Sequence, residues 1–405
     1  MATTADVVVV GGGVIGASTA FHLASLGVRR IVVCERRWVA AGASGKSGAL
    51  VRMHYTNEPE ARLAHASLPY FHRWGELVGS GDCGFLHCGM VRLVAPENEA
   101  KLRANVDLLE RIGVNTSVVG PRELRELAPG WHVDDVLAAA YEPDSGCADP
   151  VATTHGFLDR ARELGAEIRL HTEVTAIETA AGRVSGVATN GGPISAPTVV
   201  VAGGAWAIPL LRSAGIDVAL QPIRVQVALF RRPPALAAIH PICIDGIVNM
   251  WFRPEGPGWG STLAGVANRY RSLDDPDRLD EGVDAEYVPQ ARAGLARRIP
   301  ALADAPMRGG WAGAITLTED GKPIIDKHPE IDGLFFFTGD SGSSFKTAPA
   351  IGRILAEWIT AGQPSLLDPR PFRASRFAEG QPLVGEHDYG DRDYDTTRAR
   401  GVMLG

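Results

Sequence analysis

The chain has 405 residues, 45% hydrophobic and 21% charged, with a formal net charge of −7 and a pI near 5.9. That length exceeds the roughly 250–300 residues one core supports and implies more than one domain. The acidic balance, without any run of like charge, argues against a nucleic-acid partner held by electrostatics.

Five scattered cysteines, Cys34, Cys83, Cys88, Cys147 and Cys243, show no C-x-x-C spacing and point to a reduced, cytoplasmic protein. Cys83, His87 and Cys88 lack a second cluster, so no metal site is expected. No apolar run reaches the roughly 18–20 residues of a membrane span, and the first strand starts too early for a signal peptide.

Residues 6–17, DVVVVGGGVIGA, read as a buried strand, a glycine turn and a helix. Four consecutive valines suit the centre of a parallel sheet covered on both faces. Gly11, Gly13 and Gly16 follow in G-x-G-x-x-G order. The first permits the tight turn, the second lets a pyrophosphate approach the backbone beside Val14 and Ile15, and the third lets the helix pack on the strand. A helix over 17–26 stops at Gly27, and a second apolar strand, 31–34, ends at Glu35 and Arg36. Glu35 stands about 20 residues beyond the glycines, where a carboxylate binds a ribose hydroxyl.

Residues 42–51, GASGKSGALV, can press backbone against a flat ring or a phosphate, which nominates Ala43, Ser44, Ser47, Gly48 and Ala49. Arg52, His54 and Tyr55 follow directly. Helices are expected over 57–78, 97–113, 121–129 and 155–164, with strands over 84–94, 167–171, 174–178 and 184–188, the last two joined by a turn at Ala181-Gly182. A fully apolar strand, 199–202, delivers the chain to Gly203, Gly204, Ala205 and Trp206. Ligands bind at such carboxyl ends, so Ala202, Gly203 and Trp206 join the cofactor set, and Val174 is nominated with them.

Strands over 221–230, 247–253 and 258–267 read as a second, antiparallel sheet, and 274–299 as mostly helical. The strand 333–338, GLFFFT, runs into Gly339, Asp340, Ser341, Gly342, Ser343, Ser344, Phe345 and Lys346, and a helix follows over 349–359. Three visits to a glycine-rich strand end imply a Rossmann-like α/β domain (1–78, 141–215 and 305–378). It is interleaved with an α+β substrate domain on a mostly antiparallel sheet (79–140 and 216–304). The tail, 379–405, has little to bury and is expected to be mobile or an interface arm.

These features, with residues 311–352 and above all the D-G-x-P-x-I-x-x-H-P-E run of 320–330, resemble the FAD-dependent amine and amino-acid oxidoreductases, which include sarcosine oxidase, glycine oxidase and D-amino acid oxidase. The resemblance runs to about residue 377. It implies FAD held across both domains and hydride transfer from an amine-bearing carbon to flavin N5, giving an imine that can hydrolyse. It also implies oxygen or another electron acceptor, and cofactor contacts at Gly313, Gly339, Gly342, Ser343, Ser344, Phe345 and Lys346.

Sarcosine oxidase-like and flavin proline dehydrogenase-like members match best. Sarcosine oxidase-type enzymes hold the substrate carboxylate between an arginine after the small-residue loop and a lysine in the last glycine motif, here Arg52 and Lys346. The arginine that glycine oxidase and D-amino acid oxidase use instead is Ile315 here. His54, Tyr55 and Trp251 are candidate cavity walls. Gly313 stands where some relatives attach flavin through cysteine, and no histidine falls within 42–51, so FAD is expected to be noncovalent.

No lysine falls within 262–267, where sarcosine oxidase carries one for reaction with oxygen, which leaves oxidase and dehydrogenase both open. The family's G-H-G is Gly342-Ser343-Ser344 here. Two further readings stay open: a flavin monooxygenase, suggested by Gly339-Asp340 but lacking a second dinucleotide fingerprint, and a non-catalytic flavoprotein subunit. Oligomeric state and substrate identity are not legible.

Overall fold

A computed structural model of the chain describes residues 3–236, 239–255, 260–267 and 270–390. Val7–Val10 is fully buried inside a six-stranded sheet, between Ile31–Cys34 and Val199–Val201. Glu167–Arg169 lies beyond the former, and Leu334–Thr338 beyond the latter. These five strands are parallel, and Ile324–Lys327 closes one edge antiparallel to Leu334–Thr338.

The unbroken valine run is explained by what covers each face. Val7 and Val9 pack with the helices Val14–Ser25, Pro150–Glu163 and Ala348–Ala361. Val8 and Val10 pack against a four-stranded sheet containing the hairpin Val174–Ala180 and Arg183–Thr189, and against the helix Ile208–Ser213. With neither face wet, alternation is not required. The three expected glycine-rich strand ends are those of Val7–Val10, Val199–Val201 and Leu334–Thr338, side by side.

The large second sheet is mostly antiparallel. Gln221–Arg231 pairs with Met307–Leu317 from Gln221↔Leu317 to Phe230↔Met307, and on its other side with Ser261–Val266. The sheet continues through Met250–Glu255, Ile242–Asp245, Met90–Leu93, Ala139–Glu142 and Ser117–Val119. By sheet membership, Met307–Leu317 and Ala139–Glu142 therefore lie with the substrate layer.

Four expected elements differ. The strand 84–94 splits at Gly89, φ 75, into Leu86–His87 and Met90–Leu93; the first piece joins a small sheet with Gly146–Cys147 and Leu50–Val51. The strand 247–253 starts at Met250, because Asp245 accepts from Ile247 N and Val248 N and makes a turn there. Of 258–267 only Ser261–Val266 is strand, and residues 258–259 lie outside the described ones. Only Tyr287–Arg298 of 274–299 is a regular α-helix, since Asp275 and Asp280 accept from the backbone N–H of Asp277 and Gly282 and hold turns instead.

The D-G-x-P run serves as an anchor. Asp320 accepts from Arg376 Nε at 2.8 Å and Nη2 at 2.9 Å, from Lys322 N at 3.0 Å and from Leu383 N at 2.9 Å. This corrects the tail expectation as far as Gly390. Glu386 N donates to Thr56 O, Asn105 to His387 O and Asn98 to Tyr389 O, and Tyr389 is buried. Residues 391–405 lie outside the described ones.

Breaking one partner of a buried ion pair strands the other charge, at a cost of about 3–5 kcal/mol. Arg376→Met is therefore expected to lower the thermal midpoint by several degrees and to open the 376–390 segment to protease. A midpoint equal to the parent's would show that the pair contributes nothing beyond packing.

Candidate functional site

One cavity runs from the carboxyl ends of the six-stranded sheet to the underside of the large sheet. Gly11, Gly13, Val14 and Ile15 line it. Gly11 has φ +110. A Cβ at Gly16 would stand 2.0 Å from Gly11 O, so that glycine does not line the cavity but lets helix and strand meet. The helix Val14–Ser25 has no acidic residue in its first turn, and Val14 N donates to Ser44 Oγ at 2.9 Å. Its positive end therefore faces the cavity uncompensated by a carboxylate of that turn.

Glu35 accepts from Gly12 N at 2.8 Å and Arg37 N at 2.7 Å, which fixes the carboxylate at the strand end. Capacity remains for a further donor, since a carboxylate accepts about four. Val174, Ala202 and Gly203 line the same end. Arg36 and Trp206 line it too, but their polar atoms reach across to one acceptor: Asp277 Oδ1 takes Arg36 Nη2 at 2.6 Å and Trp206 Nε1 at 2.8 Å. A second bridge joins Lys46 Nζ to Glu281 at 2.7 Å, while Trp311 Nε1 donates to Lys46 O at 2.8 Å.

Ala43, Ser44, Ser47, Gly48 and Ala49 all line the cavity. Trp251 comes to meet this loop from the large sheet. A Cβ at Gly48 would fall 2.3 Å from its ring, and one at Gly265 2.4 Å from it. The indole is thus sandwiched between the loop and the neighbouring strand, and it walls the cavity. Gly313 and Ile315 line the wall beyond.

Arg52 and Lys346 both line the cavity, brought together from opposite ends of the chain. The Arg52 guanidinium lies 4.6 Å from the centre of the Tyr55 ring, and Lys346 Nζ lies 5.3 Å from the same ring. Arg52 Nη1 donates to His54 O, and Lys346 Nζ to Ser343 O at 2.8 Å. Among the described residues, Arg52 has no carboxylate within ion-pair distance. Glu142, buried nearby, accepts from Met53 N and Ser145 Oγ. Burial pushes its carboxyl up, while Arg52 and Lys346 draw it down.

Two expected cavity walls are corrected. His54 does not reach the cavity: its ring is buried, stacked on Tyr389 at 6.0 Å, with Nε2 hydrogen-bonded to Tyr389 Oη at 2.7 Å. Burial holds its pKa well below the ordinary value, so it is neutral. Tyr55 lies behind Arg52 and Lys346 as a platform touched by both, and is not itself cavity wall.

Gly342, Ser343, Ser344 and Phe345 line the cavity, whereas Gly339 does not. A Cβ at Gly339 would fall 2.2 Å from Thr318 Cγ2. Sequence reasoning did not nominate Lys46, Glu173, Gln226 or Asp340, which also line the cavity. Lys46 and Asp340 sit inside motifs already singled out. Gln226 is one of several polar residues on 221–231, beside Gln221, Arg224 and Arg231, so the sequence alone did not single it out.

Asp340 is half-buried, lines the cavity, and accepts from Gly342 N at 2.9 Å and Thr316 N at 3.2 Å. Burial nevertheless pushes its pKa from the ordinary 3.8 up to about 6. A native pKa above the unfolded one means the native state holds the proton more tightly. The contribution to stability is then fullest below about 3.8 and is lost as the pH rises through about 6. It amounts to roughly 3 kcal/mol. The apoprotein's thermal midpoint should fall across this window more steeply than that of Asp340→Asn, and parallel profiles would refute the assignment.

The family model described as "FAD dependent oxidoreductase" matches residues 6–358. The chain is 28% identical over 377 residues to mitochondrial sarcosine dehydrogenase of Homo sapiens, covering 89% of this chain and 40% of that protein. It thus spans about two fifths of that relative's length. It is 27% identical over 394 residues to sarcosine oxidase subunit beta of Arthrobacter sp, covering 94% of this chain and 93% of that one. Among solved structures, L-proline dehydrogenase from P. horikoshii superposes with a TM-score of 0.86 at 27% identity, covering 95% of this chain and 100% of that one. Glycine oxidase from Geobacillus kaustophilus superposes with a TM-score of 0.81 at 25% identity, covering 92% and 99%.

Proposed function

The chain belongs to the FAD-dependent oxidoreductase family, and from that premise we propose that it oxidises the C–N bond of a small or N-substituted amino acid whose carboxylate is held between Arg52 and Lys346. The observation that carries this reading is the pair of cations on one tyrosine ring, both facing the cavity. Arginine supplies a planar fork and lysine a point charge, a complementary set for one carboxylate.

The residues present fit FAD. Gly11, Gly13, Gly48, Gly203, Gly313 and Gly342 present backbone to the cavity, Glu35 stands at the strand end, and the first helix opens without an acidic side chain. FAD, when bound, supplies the two-electron sink that no amino-acid side chain provides. The protein's part is to bind, orient and keep dry. Tyr55 holds both cations against the cavity, and Trp251 with Ile244 and Val227 excludes water on the large-sheet side. Among the described residues no carboxylate or imidazole belongs to that wall, so it favours the neutral amine.

FAD is held noncovalently in this reading, because Gly313 offers no thiol and the 42–51 loop no imidazole. The nucleotide and substrate units are interleaved, with the junctions near residues 78, 143, 215 and 318 once Ala139–Glu142 and Met307–Leu317 are counted with the large sheet.

Anaerobic mixing of the holoprotein with N-methylglycine, proline, glycine and D-amino acids tests the proposal. At least one should bleach the flavin absorbance, and repeating the active pair in air separates oxidase from dehydrogenase behaviour. Bound FAD that none of them reduces would remove the proposed reaction.

A further inference from the structure

The last described stretch of the chain, residues 385–390, lies beyond the 6–358 region shared with the family and returns to the turn that carries Arg52. Glu386 N donates to Thr56 O at 2.9 Å, Asn105 Nδ2 to His387 O at 2.9 Å, Lys101 Nζ to Asp388 O at 2.8 Å and Asn98 Nδ2 to Tyr389 O at 3.0 Å. Four successive residues are thus tied down, unlike the end of a fraying chain. Gly385 shows how closely the segment approaches, since a Cβ there would stand 2.1 Å from Thr56 Oγ1.

Tyr389 brings this docking to bear on one side chain. It is 7% exposed, its ring stacks on that of His54 at 6.0 Å and 12°, and its hydroxyl is hydrogen-bonded to His54 Nε2 at 2.7 Å. Arg92 lies 4.9 Å from the centre of the same tyrosine ring. His54 Nδ1 is buried without a hydrogen-bond partner among the described residues, so the Tyr389 hydroxyl is the polar anchor of that imidazole.

His54 in turn reaches Arg52. Its carbonyl accepts from Arg52 Nη1, and the guanidinium rests 4.6 Å from the ring of the next residue, Tyr55. The fork is therefore aimed by the backbone of its own turn. That turn is held at two points: Met53 N donates to Glu142 at 2.9 Å, and the His54 ring is pinned by Tyr389. A guanidinium has five N–H donors, so one spent on the His54 carbonyl leaves others for a carboxylate while the carbonyl stays in place.

We propose that Tyr389 is a positioning residue for substrate: by pinning His54 it fixes the carbonyl that aims Arg52 into the cavity, so the docked 385–390 segment sets the affinity for a substrate carboxylate. The inference rests on the Arg52 and Lys346 clamp. None of residues 385–390 lines the cavity, so the segment acts only through the 52–55 turn. The second anchor bounds the effect. Glu142 still holds Met53 when Tyr389 is lost, and Arg52 then gains rotational freedom without being removed.

Titration of the FAD-loaded protein with acetate, read from the flavin absorbance, tests this, with flavin content and thermal midpoint recorded for every variant. Tyr389→Ala should raise the acetate Kd about tenfold, and Tyr389→Phe, which keeps the stacked ring and loses the hydroxyl, about threefold. Gly385→Val, which lifts the segment from Thr56 at a different point, should shift the constant in the same direction, and Val384→Ser, at an exposed neighbour, should not. With whichever amino acid bleaches the flavin, the loss should fall on KM, and kcat should stay within about twofold. In an Arg52→Ala background, Tyr389→Ala should have no further effect, because it acts through the guanidinium.

A Tyr389→Ala protein that binds acetate as the parent does, while Arg52→Ala loses it, would overturn the proposal and leave the clamp standing. So would an equal loss from Tyr389→Ala with and without Arg52. Acetate binding untouched by Arg52→Ala would remove the clamp itself, and this inference with it.

Discussion

Arg52→Ala is expected to raise the KM or Kd for a substrate carboxylate by about 10²- to 10³-fold while FAD stays bound. Hydrogen bonds to a charged group contribute about 1.5–3 kcal/mol each, and about 1.4 kcal/mol is a tenfold change. A two-pronged contact therefore supports losses of this size. The guanidinium rests on Tyr55 and bonds only one backbone oxygen among the described residues, so its removal leaves the glycine cradle untouched. Lys346→Ala should act in the same direction and more weakly, about 10- to 10²-fold, because an ammonium makes a single-point contact.

The double variant should fall short of the sum, since both cations would address one carboxylate. Arg52→Lys separates charge from shape: recovery to near the parent value would show that the fork is dispensable. Steady-state kinetics with whichever amino acid bleaches the flavin, or titration of a simple carboxylate against the flavin spectrum, gives the numbers. Unchanged constants in both single variants would remove the carboxylate clamp altogether.

Gly16→Ala is the second large effect, and it acts on the cofactor. The added Cβ would lie 2.0 Å from Gly11 O, 3.2 Å from Gly11 C and 3.3 Å from Val9 Cγ1. Two of these are backbone atoms of the turn itself, so relief requires the helix Val14–Ser25 to lift away from its strand. Overpacking of this kind costs typically about 1–3 kcal/mol, occasionally more, and here the displaced element forms the cradle. The variant should purify with little or no flavin absorbance and a lower thermal midpoint. Gly75→Ala is the control, since its Cβ would meet nothing within 4 Å. A yellow Gly16→Ala protein with the parent's midpoint would show that the turn tolerates a side chain.

How much was legible depended on whether neighbours in sequence decide the outcome. The valine runs specified buried strands because both faces of a parallel sheet demand the same residues, and their glycine ends followed. Arg52 and Lys346 were nominated through the resemblance to sarcosine oxidase-type enzymes, each standing at a cofactor loop, and the fold brings both to one cavity. His54 and Tyr55 were misplaced because Leu50–Val51 is only two residues long, too short to carry a readable alternation beyond it.

The 274–299 stretch has helical composition, yet Pro276 and the side-chain acceptors of Asp275 and Asp280 redirect its first half. The packing of 379–390 was invisible because its partners, Asp320, Thr56, Asn98 and Asn105, are supplied from elsewhere in the chain. Asp277 shows the same difficulty: only the fold brings a charged turn onto Trp206 and Arg36.

The order of strands in the six-stranded sheet also bears on biosynthesis. Val199–Val201 follows its neighbour Val7–Val10 by nearly 200 residues, and Leu334–Thr338 follows it by more than 300. At about 5–20 residues per second of synthesis, the interval between the first and last of these strands is roughly 15–65 s. Throughout it, the most apolar strand on the ribosome lacks its full set of neighbours, and the glycine at its end has no opposite wall. The cradle formed at the ends of these three strands therefore closes only once Leu334–Thr338 has been made, and FAD finds its full set of walls only after that point.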